Sequence, residues 1–140
     1  MTVLCHTFLL FTVSMASLQP QTSSRSRRGL LELAGVIKCS MGRSALSYVK
    51  YGCYCGHGGQ GWPRDRADWC CHRHDCCYGY AEFTGCQTKT YNAFNDRCAN
   101  ILCRCDREAA RCLREAPYNR NYALWPDFLC GYLRPTCHIY

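Results

Sequence analysis

The sequence has 140 residues, fifteen of them cysteines, and a formal net charge of +7. Its length predicts one domain. So many cysteines are rare in a reducing compartment and typical of small secreted domains, where disulfides compensate for a small core. Structural zinc sites usually repeat cysteine pairs separated by two residues, whereas the cysteines here are scattered. The composition therefore favours a disulfide-bonded extracellular protein over a cytosolic or zinc-binding one.

The N-terminus has the features of a leader and a propeptide. Residues 4–15 are almost wholly apolar and end among small residues, and this run is too short to span a bilayer. A polar segment then ends in Arg25-Ser26-Arg27-Arg28, which we interpret as a processing site rather than a solvated charge cluster. We predict a signal peptide at residues 1–16, a propeptide at 17–28 and a secreted mature domain at 29–140.

Processing after Arg28 would change the cysteine count and the charge. It removes Cys5 and leaves fourteen cysteines, an even number that permits complete pairing. It also removes three arginines, so the net charge falls to about +4. The remaining basic residues are dispersed along the sequence, which argues against nucleic acid as a partner of this secreted chain.

The mature chain begins with two short patterned segments. Residues 29–37 predict a helix that is apolar nearly all round, so it is either buried in the core or partly in contact with lipid. Residues 51–61 are rich in glycine and predict a loop whose backbone can adopt conformations that other residues resist.

Two longer helices are predicted at residues 65–83 and 98–113. Asp65 and Asp68 suit the start of the first helix, because carboxylates favour the positive end of a helix. The second helix has an apolar stripe with helical spacing, formed by Leu102, Ala109 and Leu113.

The spacing of four cysteines relates these two helices. Cys70 and Cys77 are seven residues apart, and so are Cys105 and Cys112. Seven residues is close to two turns, so each pair lies on one face of its helix. An antiparallel arrangement matches Cys70 with Cys112 and Cys77 with Cys105. Two such bridges would staple a rigid helical hairpin, although spacing alone does not prove connectivity.

Polar residues converge between the two predicted helices. His74 lies between the two cysteines of its helix and faces the partner, and Tyr78 follows one turn later on the same face. Asp106 lies within the apolar stripe, where a buried carboxylate needs a partner. Asp75 points about 100° away from His74. A lone inward-facing histidine is usually structural, but a His, an Asp and a Tyr together indicate a functional site.

The motifs YGCYCGHGG, WCCHRHDCCY and CRCD occur in this order along the chain. Together they resemble the secreted phospholipase A2 family, over the whole mature chain apart from one shortened segment. The RSRRGLLEL start, Cys39, Cys76 and the FLCGYLRPTC ending are most similar to the group X type. The resemblance implies a mainly α, disulfide-rich fold with two long antiparallel helices stapled by disulfides, a short N-terminal helix, a calcium-binding loop and a reduced β-wing.

The resemblance also implies a calcium site and a catalytic group. One Ca²⁺ per chain would bind three loop carbonyls and one carboxylate, those of Tyr54, Gly56, Gly58 and Asp75. Oxygen ligands of this kind are the ones that calcium prefers. The implied catalytic residues are His74, Asp106 and Tyr78. His74 would be the general base that activates a water, Asp106 would orient it, and Tyr78 would hydrogen-bond Asp106.

The implied reaction is calcium-dependent hydrolysis of the sn-2 ester of glycerophospholipids, which releases a fatty acid and a lysophospholipid. The enzyme would act as a monomer on phospholipid membrane surfaces, with a cell-surface receptor as a further candidate partner. Candidates for the membrane interface or the acyl channel are Leu30, Leu31, Leu33, Ile37 and Trp62.

The family resemblance and the dibasic run predict that the chain is a zymogen until its propeptide is removed. Family members bury the free α-amino group of the mature chain, which here would belong to Gly29, and this group tethers the first helix to the active-site network.

Two rival interpretations of the function stay open. One is a non-catalytic phospholipase-like ligand or mineral-matrix protein, which commonly lacks the calcium carboxylate or the histidine. The other is a protease-inhibitor-like disulfide scaffold.

Six disulfides are implied by the resemblance: Cys53–Cys130, Cys55–Cys71, Cys70–Cys112, Cys76–Cys137, Cys77–Cys105 and Cys86–Cys98. The family's β-wing is shortened to eleven residues between Cys86 and Cys98, and the usual partners of Cys39 and Cys103 are missing. These two cysteines either pair with each other or stay free. Tyr91 is a candidate match to a second tyrosine of the active-site network.

Overall fold

The computed structural model describes residues 44–56, 59–88 and 96–138. Within these ranges the chain is mainly helical, with two α-helices and three short 3₁₀ helices, at Ala45–Tyr48, Arg120–Tyr122 and Asp127–Leu129. The predicted signal peptide, propeptide and first helix lie outside the described residues. So do Cys39, Gly58 and most of the predicted β-wing, including Tyr91.

Helix α1 spans Arg66–Phe83, one residue shorter at its start than the sequence predicts. Asp65 caps it, because the Asp65 side chain accepts a hydrogen bond from the backbone N–H of Asp68 at 2.9 Å. The helix ends at Phe83 because Thr84 leaves the helical pattern and Gly85 adopts a φ of 93°. The prediction of a helix in this segment is confirmed.

Helix α2 spans Asp96–Glu115, two residues longer than predicted at each end. The residues of its predicted apolar stripe are all buried. Leu113 packs in one core cluster with Ala67 and Cys70 of α1, and Leu102 packs in another with Ala81 of α1. The stripe is therefore the face that holds α2 against α1.

Two disulfides join the helices as the spacing predicts. Cys70 is bonded to Cys112, and Cys77 is bonded to Cys105, with a Cα–Cα distance of 5.7 Å in both bridges. Because the bridges are two turns apart and their order is reversed between the helices, they fix an antiparallel register. The predicted helical hairpin is confirmed.

Four further disulfides connect the loops and the C-terminal segment with this hairpin and with each other: Cys53–Cys130, Cys55–Cys71, Cys76–Cys137 and Cys86–Cys98. With the two interhelical bridges, these are the six pairs that the family resemblance implies. Cys103 is also disulfide-bonded. The alternative in which Cys103 stays a free thiol is therefore wrong.

Within the described residues there is no β-strand, and extended pairing is limited to isolated bridges from Tyr51 to Cys55 and to Ala123. Tyr51 is fully buried, its hydroxyl donates to Asp65 at 2.5 Å, and it accepts the backbone N–H of Asn119 at 3.0 Å. The first bond attaches the glycine-rich loop to the start of α1, and the second attaches it to the segment that follows α2. Neither described α-helix is long and apolar enough to cross a membrane.

Candidate active site

His74, Asp106 and Tyr78 meet between α1 and α2. Nε2 of His74 lies 2.7 Å from Oδ1 of Asp106 and donates a hydrogen bond to it, and the Tyr78 hydroxyl donates to the same oxygen at 2.8 Å. The side chains of His74 and Asp106 are only 14% and 5% exposed. Three residues that the sequence assigns to facing helix surfaces thus form one hydrogen-bonded group.

Helix geometry and one disulfide explain this arrangement. His74 and Tyr78 are one turn apart on α1, so they share a face. Asp106 directly follows Cys105, which is bonded to Cys77, and Cys77 lies between His74 and Tyr78 in the sequence. The bridge therefore holds the two helices together where the hydrogen bonds form. Since Asp106 engages Nε2, the nitrogen of His74 that can act as a base is Nδ1.

Asp75 follows His74 on α1 and lies in a different environment. Its side chain is accessible to solvent, yet the surrounding protein displaces enough water to raise the pKa of Asp75 to about 6. The neighbouring His74 opposes this rise, and the charge of Asp68 adds to it. An accessible carboxylate whose charge is poorly solvated is one that a bound cation would stabilise.

Asp68 holds the glycine-rich loop, a role that the sequence does not reveal. Its side chain is fully buried and accepts backbone N–H bonds from Cys53 at 2.7 Å, Tyr54 at 2.8 Å and Arg64 at 2.8 Å. Burial raises the pKa of Asp68, and the three hydrogen bonds counteract that rise. Three charge-assisted bonds to one carboxylate fix the two sides of the loop relative to α1.

Crosslinks and glycines shape the backbone around Tyr54. The cysteines on either side of Tyr54 are bonded to Cys130 and Cys71. Gly52 has a φ of 59°, and a side chain there would collide with the buried carboxylate that holds the loop. Gly56 has a φ of 131°, which residues with a side chain rarely adopt. The loop conformation therefore depends on glycine at both positions.

The predicted calcium ligands are compatible with this geometry. Cys71 lies one turn before Asp75 on α1, so the loop's disulfide to Cys71 brings the loop beside that carboxylate. Burial raises the pKa of the Tyr54 hydroxyl, and the negative charge of Asp75 adds to that rise. Loop carbonyls and a carboxylate form an all-oxygen donor set of the kind calcium prefers. Tyr54, Gly56 and Asp75 thus fit the ion, and Gly58 lies outside the described residues.

Trp62 is half-exposed beside the loop. Its ring contacts Trp69, with centroids 5.8 Å apart, Trp69 contacts His72 at 5.4 Å, and His72 contacts Tyr54 at 4.7 Å. Trp62 is therefore the exposed end of an aromatic row that leads to the loop. The other predicted interface and channel residues lie outside the described residues: Leu30, Leu31, Leu33 and Ile37.

Asp68→Asn should loosen the loop without removing a calcium ligand. An amide group has one acceptor oxygen and an NH₂ group, so at least one backbone N–H would face another donor. Leaving a buried donor unsatisfied should lower the free energy of unfolding by about 1–3 kcal/mol. We expect calcium affinity to fall as well, because the carbonyl of Tyr54 loses its support. Thermal unfolding and calcium calorimetry measure the two effects.

Asp127→Asn is the matched control for this substitution, because Asp127 is exposed. It should leave both the unfolding temperature and the calcium affinity unchanged. If Asp68→Asn binds calcium as tightly as the control, the carboxylate does not position the loop for the ion.

Comparisons with known proteins agree with the resemblance seen in the motifs. The profile of the family described as Phospholipase A2 matches residues 30–123, a range that contains every predicted catalytic and calcium-binding residue. A protein of Meiacanthus atrodorsalis named Phospholipase A2 is 55% identical over 151 aligned positions, which cover 97% of this chain and 98% of that protein.

Two human proteins are also similar. The Group 10 secretory phospholipase A2 is 47% identical over 124 positions, covering 79% of this chain and 75% of the human protein. The Group IIE secretory phospholipase A2 is 43% identical over 122 positions, covering 77% and 86%. The Meiacanthus alignment has more positions than this chain has residues, so that relative contains residues that this chain lacks. This agrees with a segment of the chain being shortened.

Proposed function

Because the chain belongs to the phospholipase A2 family and is an enzyme of its secreted class, we propose that it hydrolyses the sn-2 ester of glycerophospholipids in a calcium-dependent reaction at membrane surfaces. The products are a fatty acid and a lysophospholipid. The observation that carries the proposal is the 2.7 Å hydrogen bond between His74 and Asp106, beside the carboxylate of Asp75. A non-catalytic relative would be expected to lack His74 or Asp75, so an active enzyme is favoured.

In the proposed reaction His74 is the general base. Its Nε2 is bonded to Asp106, so Nδ1 takes a proton from a water as that water attacks the ester carbonyl. Asp106 keeps the ring oriented and stabilises the imidazolium that forms, as the third member does in other triads. Tyr78 donates to the same carboxylate oxygen and restrains it. Asp106 and Tyr78 are positioning residues that act through His74.

The residues that would hold calcium are Tyr54, Gly56, Gly58 and Asp75, through three carbonyls and one carboxylate. When bound, calcium supplies Lewis-acid chemistry that neutralises the substrate phosphate and polarises the ester carbonyl. The chain itself contributes the positions of the ligands. Asp68 and the disulfide to Cys71 hold the loop against α1, the helix that also carries the base His74 and the acidic ligand Asp75.

The proposed reaction takes place outside the cell, on the surface of a bilayer. The disulfides need an oxidising compartment, and two of the relatives above are named secretory. Trp62 is exposed beside the loop, and tryptophan rings prefer the boundary between water and lipid. The apolar first helix would extend this contact surface or line the acyl channel.

We further propose that the chain is a zymogen. An uncut chain continues through Arg28, so it has no free α-amino group at Gly29. The first helix would then lack its tether, and its leucines would be poorly positioned for lipid. Cleavage after Arg28 would remove this constraint without changing the calcium ligands.

The test is fatty-acid release from phosphatidylcholine vesicles, with the chain cut after Arg28 compared with an uncut Arg27→Ala/Arg28→Ala chain. The cut chain should hydrolyse the vesicles in calcium and lose at least about 10²-fold in rate in a chelator, roughly what removing an oxyanion stabiliser costs. The uncut chain should be weak on vesicles but should still bind calcium.

N-terminal sequencing and a secretion assay control for the state of both chains. Hydrolysis that continues unchanged in the chelator would rule out the calcium-dependent mechanism. Equal vesicle rates for cut and uncut chains would rule out only the zymogen, because hydrolysis itself would still be present.

A further inference from the structure

The disulfide between Cys76 and Cys137 differs from the other described bridges in its exposure to solvent. Among the disulfide-bonded cysteines that the structure describes, Cys137 is the one that is exposed, and its partner Cys76 is half-buried. In each of the other five bridges whose two cysteines are described, at least one cysteine is buried: Cys53, Cys55, Cys70, Cys86, Cys105 and Cys130. A thiol dissolved in water can therefore reach Cys137 in the folded protein more easily than any of these cysteines.

This exposed bridge holds a short segment against α1. The segment begins after Cys130, which is itself fixed to Cys53 by another disulfide. One disulfide and one hydrogen bond join residues 131–138 to the rest of the described chain. The disulfide is the exposed bridge, and Nε2 of His72 donates the hydrogen bond to the carbonyl of Pro135 at 3.3 Å. Opening the bridge would therefore release this segment and leave the other crosslinks of the hairpin and the loop in place.

His72 provides an acceptor beside one of the two sulfurs. One ring nitrogen of His72 and the sulfurs of Cys76 and Cys137 lie within 4.8 Å of one another. Nδ1 of His72 is 3.9 Å from Sγ of Cys76. Because Nε2 donates to a carbonyl, Nδ1 has a lone pair that can accept a hydrogen bond from an S–H group. If the bridge opens, Cys76 is therefore the cysteine whose free thiol the surrounding protein stabilises.

The charges near Cys137 favour the approach of an anion. Residues 131–138 include the exposed Arg134 and contain no carboxylate. The attacking species in thiol–disulfide exchange is a thiolate, and small thiols such as glutathione carry carboxylates as well. A reagent of this kind would be attracted to the segment rather than repelled by it.

We propose that the bridge between Cys76 and Cys137 is a site of reversible modification by small extracellular thiols, which attach to Cys137. The incoming thiolate attacks Sγ of Cys137 and forms a new S–S bond. The bond between Cys137 and Cys76 breaks, and its electron pair leaves with the sulfur of Cys76, which takes a proton from water. One thiol is consumed and one is formed, so the exchange needs no other oxidant or reductant.

The modification changes the end of the chain and is independent of lipid hydrolysis. It would free residues 131–138 from α1, with the small thiol attached to them, and leave Cys76 as a thiol. The reaction is reversible, because the thiol of Cys76 stays in the same molecule as the new disulfide and can expel the small thiol again.

The experiment treats the folded full-length chain with reduced glutathione, without denaturant, and stops the exchange with N-ethylmaleimide. Peptide mapping by mass spectrometry then shows which cysteines carry glutathione and which carry maleimide. The first product should carry glutathione on Cys137 and maleimide on Cys76. It should form at least about tenfold faster than any product of the other described bridges. Removing the glutathione before the maleimide is added should restore the bridge.

Two double variants make the matched comparison. Cys76→Ala/Cys137→Ala lacks the exposed bridge and should give no fast product. Cys86→Ala/Cys98→Ala lacks a different bridge and should still give the fast product at Cys137. Thermal unfolding before treatment shows whether each variant is folded, and the map of the wild-type chain decides the question without them if either folds poorly.

Three results would overturn the proposal. In the first, glutathione appears first on a cysteine of another bridge. In the second, all bridges open at the same rate, which would mean that exchange follows unfolding of the whole chain. In the third, glutathione attaches to Cys76 and maleimide to Cys137, so that the attacked sulfur is the wrong one.

Discussion

Asp75→Lys is expected to abolish calcium-dependent hydrolysis while leaving the fold intact. Asp75 is the one side chain among the proposed calcium ligands, and lysine would put a positive charge where the cation should bind. Poor solvation already raises the pKa of the Asp75 carboxyl, so charge at this position is weakly screened by water and repulsion should be strong. We expect no calcium binding by calorimetry and a loss of turnover of at least about 10³-fold on phosphatidylcholine vesicles.

The matched control is Asp127→Lys, which makes the same charge change at an exposed position. It should bind calcium and turn over substrate as the wild type does. Circular dichroism and a count of free thiols show whether both variants are folded and fully crosslinked. Calcium-dependent hydrolysis that survives in a folded Asp75→Lys protein would mean that another group is the acidic ligand.

His74→Gln is expected to lower kcat by about 10²–10⁴-fold, the usual range for the loss of a general base. This corresponds to about 2.7–5.5 kcal/mol of barrier height. Glutamine keeps a polar side chain next to Asp106 but has no nitrogen that takes a proton near neutral pH. Calcium affinity should change little, because the loop and Asp75 are untouched. Asp75→Lys is therefore expected to lose calcium binding, whereas His74→Gln is expected to lose turnover while it still binds calcium.

His138→Gln is the control for the histidine substitution, since His138 is exposed near the C-terminus. Its turnover should equal that of the wild type. A His74→Gln protein with near-normal kcat would show that some other group activates the water, and the bond between His74 and Asp106 would then be structural.

The helical hairpin could be predicted from the sequence because its determinants are local and repetitive. Cysteines seven residues apart mark one face of each helix, and the burial of Leu102 and Leu113 follows from their spacing. The same spacing put His74 and Asp106 on facing surfaces, so their convergence required only that the helices be antiparallel. The calcium ligands and the individual roles came from the family resemblance, because spacing alone does not identify carbonyl ligands.

Other features depend on tertiary contacts that have no sequence period. Asp68 reads as a favourable charge at a helix start, and it does lie in the first turn of α1. Its carboxylate is turned toward the loop instead, because three backbone N–H groups there need an acceptor once they are buried.

The disulfide between Cys55 and Cys71 makes the site sensitive to the redox state of its surroundings. It is the covalent link between the loop around Tyr54 and the helix turn that precedes Asp75. In a glutathione-rich compartment thiols stay reduced, and the loop would be held to α1 by hydrogen bonds alone. The producing cell's own membranes are made of the proposed substrate. A newly made chain exposed to the cytosol would therefore lack the assembled ion site, and lipolysis would begin only where oxidation has completed the fold.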